Sequence, residues 1–200
     1  MNCGGVEMLQ TLEMRWFKPG EIPVAVCQWF DQDCPGRLLG EAETRTDWYL
    51  EPIAPCDYLN IKFRQGRLEI KWRQMQFPQL SLEQQWQGRV EQWVKWLCEE
   101  ATLQDFVPQG QAWIAVQKAR SQRQFVISTD ACCNLELTQL RVHNQNWWTM
   151  GLESTGDQES LHSIARQLSE NCPETLTDQE AMAYPHWLSQ QLRQNPQNQG

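Results

Sequence analysis

Tyr58-Leu59-Asn60-Ile61-Lys62-Phe63-Arg64-Gln65-Gly66-Arg67-Leu68-Glu69-Ile70-Lys71-Trp72-Arg73 alternates apolar and charged side chains on both sides of a Gln65-Gly66 turn. Side chains alternate across a strand, so Ile61 and Phe63 share one face and Lys62 and Arg64 the other. After the turn, Leu68, Ile70 and Trp72 oppose Glu69, Lys71 and Arg73. The stretch predicts a hairpin with one greasy face and one face of long charged side chains. Such a charged face meets solvent or lines a polar cavity for a charged ligand.

The same alternation extends outward. Residues 11–17 set Leu12, Met14 and Trp16 against Glu13 and Arg15, which predicts a first strand. Residues 24–30 form a second apolar run, followed by a Gln-Asp-Cys-Pro-Gly turn, and residues 43–49 place Glu43, Arg45, Asp47 and Tyr49 on one face with Thr44, Thr46 and Trp48 on the other. Ser81 is placed to cap a long helix through about Gln104, in which Leu82, Trp86, Val90, Trp93, Val94 and Leu97 recur at helical spacing. Residues 113–120 and 124–129 read as a strand pair closed by Ser121-Gln122-Arg123, and residues 134–142 and 147–153 as another. Residues 157–169 read as a helix stopped by Pro173, and residues 178–193 as a weaker one. The expected fold class is α+β: an eight-stranded antiparallel, tunnel-like β-barrel with an inserted long helix and C-terminal helices. The expected organisation is a barrel domain over residues 1–170, a C-terminal helical extension over 171–193 and a disordered tail over 194–200.

Bulk properties narrow the function. A net charge of −8 disfavours nucleic acid and anionic membranes as partners, since both are themselves negative. No stretch approaches the ~20 apolar residues of a membrane span, and the first residues lack the pattern of a secretory leader, so a cytoplasmic location is expected. The eight cysteines are scattered without a Cys-x-x-Cys pair, which predicts free thiols rather than zinc ligands or disulfides. The three histidines show no metal-ligand spacing, no phosphate-loop motif is present, and Ser128 and Thr138 lack a base partner.

The polar faces of the strands carry Arg15, Arg45, Lys62, Arg64, Lys71, Arg73, Lys118 and Arg120, with Glu13, Glu43, Asp47, Glu69, Glu136 and Glu153. If the apolar faces pack outward against helices, these charges line a water-filled tunnel, and the mixed signs allow pairing there. The alternative is a twisted sheet with a solvated, salt-bridged face.

From residue 11 to 169 the order of segments resembles the CYTH, or triphosphate tunnel metalloenzyme, superfamily. Asn60-Ile61-Lys62-Phe63-Arg64 with Leu68-Glu69-Ile70-Lys71 resembles its basic strand pair, and Asp47-Trp48-Tyr49-Leu50 the strand before it. Val116-Gln117-Lys118-Ala119-Arg120 resembles its Lys-x-Arg strand. Leu135-Glu136-Leu137 and Gly151-Leu152-Glu153 resemble its last acidic strands. The first strand departs from the family's Glu-x-Glu-x-Lys, reading Thr11-Leu12-Glu13-Met14-Arg15. The resemblance implies binding, and metal-dependent hydrolysis, of a triphosphate-containing small molecule or inorganic polyphosphate. Glu13, Glu136 and Glu153 would hold Mg²⁺ or Mn²⁺, with Glu136, Glu153 and Lys71 carrying the reaction. Arg15, Arg45, Lys62, Arg64, Arg73, Lys118 and Arg120 would bind the phosphate oxygens. Two alternatives stand beside this. One is a non-catalytic CYTH-like module for a phosphorylated ligand or acidic partner. The other is a β-domain that docks a protein through the Trp86, Trp93, Trp96 set of the long helix.

Overall fold

The computed structural model describes residues 8–52, 56–82, 85–99, 108–110 and 112–194. Among the described residues nine strands run in chain order: β1 (Met8–Pro19), β2 (Arg37–Leu38), β3 (Glu43–Leu50), β4 (Leu59–Arg64), β5 (Arg67–Leu82), β6 (Trp86–Glu99), β7 (Trp113–Val126), β8 (Cys132–Val142) and β9 (Gln145–Ser154). The helices among the described residues are α1 (Val24–Gln28), which runs into a π-helical turn over Trp29–Asp33, α2 (Gln158–Ser169) and α3 (Tyr184–Gln194). Eight strands pair antiparallel in the order β7-β3-β4-β5-β6-β1-β9-β8, and β8 returns to β7 to close the barrel. The short β2 pairs with the far end of β7.

The hairpin that announces the fold is β4–β5. Gln65 and Gly66 both take positive φ, 48° and 75°, the backbone of the tight turn that matches strand twist. Ile61 faces Ile70 and Lys62 faces Glu69 across it.

The main apolar core lies outside the barrel. Met14, Trp16, Leu135, Leu137, Met150 and Leu152 on the outer face of β1, β8 and β9 pack against Trp29 and Phe30 of the π turn and Leu161, Ala165 and Leu168 of α2. Asp157 caps α2 by accepting the Ser160 amide at 2.8 Å. A second cluster lies inside one end of the barrel. There Phe17, Tyr49, Ile114, Val116, Leu140 and Val142 meet Trp187 and Leu188 of α3, so α3 forms a base under the tunnel.

Two expected elements are corrected, and the apolar run at 24–30 acquires its structure. The long helix expected from Ser81 is the end of β5 followed by β6; its last residues, 100–104, fall outside the described residues. Both faces of β6 carry large apolar side chains: Val90 and Val94 point outward and Trp93 inward. The two-residue alternation was therefore masked and imitated a helical period. The Trp-rich helical docking surface disappears with that helix, and Trp86 and Trp93 are buried. The apolar run at 24–30 is α1 and the π turn, because Val26, Trp29 and Phe30 meet the core at helical spacing. Finally, 113–129 is not a hairpin: β7 runs straight through Ser121-Gln122-Arg123, each paired with β8. Arg123 points outward there and donates to the carbonyls of Phe30, Asp31 and Gly36 at 2.6–2.8 Å, fixing the π turn to the wall.

The seven described cysteines are free thiols. No helix among the described residues is long and apolar enough to cross a membrane.

Candidate functional site

The charges of the inner face meet in a cavity of about 150 Å³ at the barrel centre. Glu13, Arg15, Arg45, Lys62, Arg64, Lys71, Lys118, Arg120, Glu136 and Glu153 all line it, so ten of the eleven candidate side chains share one chamber. Arg73 lies in an adjoining cavity of about 300 Å³, lined on one side by Lys71, Glu91 and Trp93 and on the other by residues 178–190. The two cavities share Glu13, Arg15, Asn60, Lys71 and Tyr184.

The side chamber has a structural cause. β6 pairs with β1 only from Met8 to Glu13 and then diverges. Residues 180–182 take its place on that edge of β1: Phe17 N–H donates to the Glu180 carbonyl and Met182 N–H to the Arg15 carbonyl, both at 3.0 Å. The chamber opens at this fork.

Ion pairs bind the inner wall into groups. Arg15 and Arg120 both reach Glu136, at 2.6 and 3.1 Å. Gly151 makes this possible, because a Cβ at that position would lie 2.7 Å from the Arg15 guanidinium carbon. Asp47, fully buried, takes Arg45 and Lys118, each at 2.9 Å. Lys118 also donates to the Tyr49 hydroxyl at 2.6 Å and sits 4.2 Å from the centre of the Tyr184 ring. Glu69 takes Lys62 at 2.6 Å and Arg64 at 3.0 Å. Glu13 takes Lys71 and the Thr11 hydroxyl. Arg73 bridges Glu91 at 2.6 Å and Asp57 at 3.0 Å.

These contacts set the protonation states. Burial alone would raise the carboxyls of Asp47, Glu69 and Glu136. The adjacent Lys and Arg charges outweigh it and hold all three below their usual range, Glu69 at about 2. Burial pushes the Lys62 and Lys118 ammonium groups down to about 8, against the pull of Glu69 and Asp47. In Glu91 burial wins over Arg73, and its carboxyl is raised.

Two donors stand out. Arg15 Nη1 and Arg120 Nε are buried and have no hydrogen-bond partner among the described residues. A buried donor left unpaired costs about 1–3 kcal/mol, so each calls for an acceptor.

No protein-family model matches the chain, and no curated protein does.

Mg²⁺ or Mn²⁺ needs several oxygen ligands converging on one point. Glu13 is flanked across strands by Glu91 on β6 and Glu153 on β9, a row of three carboxylates. Glu13, however, is engaged with Lys71 and Thr11, and Glu91 with Arg73 and the Trp93 indole N–H. Glu136 is held by Arg15 and Arg120. No group of three His, Cys, Asp or Glu among the described residues forms a metal site. With these carboxylates committed to cations, the donor arrangement does not fit a divalent cation.

Lys95, which also lines the central cavity, and Glu91 and Trp93 of the side chamber escaped the sequence reading as site residues because they lie on the strand that imitated a helix. Tyr184 had no signal: its place under Lys118 and Arg15 is set only by the docking of α3.

Proposed function

We propose that the chain is a divergent CYTH-like protein whose tunnel binds the phosphate chain of a triphosphate compound or of inorganic polyphosphate. The observation that carries this reading is a charge inversion. Eight basic and four acidic side chains line the central cavity, inside a chain whose net charge is −8. A low-dielectric enclosure that concentrates positive charge favours a dense anion. The unpartnered donors of Arg15 and Arg120 add directional capacity for two acceptor oxygens.

The side chamber differs in character. Its lining has four acidic and four basic side chains, with Trp93, Met182 and Pro185 among its apolar members. That balance suits the organic remainder of a phosphorylated compound better than further phosphate, and tighter binding of ATP than of tripolyphosphate is the expected sign of it.

Isothermal titration with tripolyphosphate tests the reading. Arg15→Ala is expected to weaken binding by about tenfold to a hundredfold, since a charge-assisted hydrogen bond contributes about 1.5–3 kcal/mol. Absence of heat and of thermal stabilisation at millimolar tripolyphosphate would rule the proposal out.

A further inference from the structure

We infer that Glu13 and Glu136 are resident counter-ions, which a polyanion displaces from Lys71, Arg15 and Arg120, so that the tunnel loads its ligand without a divalent cation. The inference rests on the polyanion reading above and specifies how that site works.

The side chains sort into two kinds. Asp47 is fully buried and receives Arg45 and Lys118, and Lys118 is further locked by Tyr49. No neutral donor to Asp47 is present among the described residues, so withdrawal of its cations would strand a buried charge. Glu13 and Glu136 differ. Glu13 also accepts from the Thr11 hydroxyl at 2.6 Å, and Glu136 from the Gln122 amide at 3.3 Å. Each therefore keeps a neutral donor when its cation turns to another anion.

The cations are suited to the exchange. Arg15 uses one terminal nitrogen on Glu136 while Nη1 has no partner, and Arg120 contacts Glu136 and Glu43 while Nε has none. Lys71 and Glu13 line both cavities, at the passage between them. A phosphate oxygen there would take the cation and leave the carboxylate to Thr11. In the empty tunnel the carboxylates hold the cations in place and compete with the ligand for them.

This reverses the expectation for a metal centre. If Glu13 and Glu136 held a divalent ion, their neutralisation would abolish ligand binding. As counter-ions, they oppose the ligand, and removing their charge strengthens binding.

The experiment is calorimetric titration of tripolyphosphate into the full chain, Glu136→Gln and Glu13→Gln, each in EDTA and again with Mg²⁺. The expected result is binding by the wild type in EDTA, about fivefold to tenfold tighter binding by each variant, and weaker binding when Mg²⁺ neutralises part of the ligand's charge. Glutamine keeps the shape and the Thr11 or Gln122 contact, and two variants at separate pairs guard against one misfolded protein; circular dichroism verifies both. Binding that needs Mg²⁺ and is lost in the variants overturns the inference while leaving a polyanion tunnel. Binding in neither condition by any of the three proteins defeats the tunnel reading itself.

Discussion

With Trp187 replaced by alanine, the protein is expected to lose about 3–5 kcal/mol of stability, as for other large aromatic truncations in a close-packed interior. Trp187 is fully buried and stacks on Phe17 with ring centres 4.7 Å apart and planes 11° apart. Edge contacts to Trp147 and Tyr184, at 5.9 and 5.8 Å, complete its surroundings. Trp187 sits at the centre of the cluster that joins α3 to the barrel end, so the effect is more than a cavity. Tyr184, stacked on Tyr49 at 5.3 Å, carries the cations Lys118 and Arg15 over its ring. Loss of the α3 anchor admits water to Lys118, whose ammonium group is then no longer held down by burial. The measurements are urea unfolding and amide exchange, with Leu188→Ala as a milder truncation of the same contact. A loss below about 1 kcal/mol for Trp187→Ala would mean that α3 does not close the base.

The second large effect is acid lability. Asp47, Glu69 and Glu136 bind protons more weakly in the folded chain than in the unfolded one, because Lys and Arg charges face them. The unfolded state therefore holds more protons at low pH. The stability these carboxylates contribute is complete above the ordinary carboxylate value of 4.5 and is lost as pH falls toward 2. Glu69, 2% exposed and facing Lys62 and Arg64, contributes in this direction. A steep fall in the urea midpoint between pH 4.5 and 2.5 is expected, shallower in Glu69→Gln. A midpoint that stays flat from pH 5 to 3 would show that the inner carboxylates are not ionised in the fold.

How much of this was legible beforehand depended on whether one strand face was uniformly polar. β4, β3, β1 and the first half of β5 alternate cleanly, and there the sequence correctly separated Ile61 and Phe63 from Lys62 and Arg64. Inward charges on these strands identified six residues that line one cavity, and β7, β8 and β9 supplied the other four. β6 defeated the same method, because Trp93 lies on its inner face and Val90 and Val94 on its outer face. Ser121-Gln122-Arg123 looked like a turn from its polarity alone, yet Gln122 faces the tunnel and Arg123 ties down the π turn. The apolar run at 24–30 carried no clear period, and packing of Val26, Trp29 and Phe30 against the outer core makes it α1 and the π turn. Ion-pair partners were the least legible. That Arg15 meets Glu136 rather than Glu13 depends on Gly151 leaving room across the β1–β9 ladder.

The fork between β1 and β6 has a consequence for how a nascent chain matures. The eighth strand of the barrel is complete at Ser154, but residues 180–182 fill the gap beside residues 15–17 and α3 forms the base. β1 also pairs with β9, more than a hundred residues later. A ribosome-bound chain that has released all its strands still lacks the two segments that dry its interior. If the sheet pairs before these segments emerge, the ammonium and guanidinium groups of its inner face stay hydrated until residues 180–194 dock.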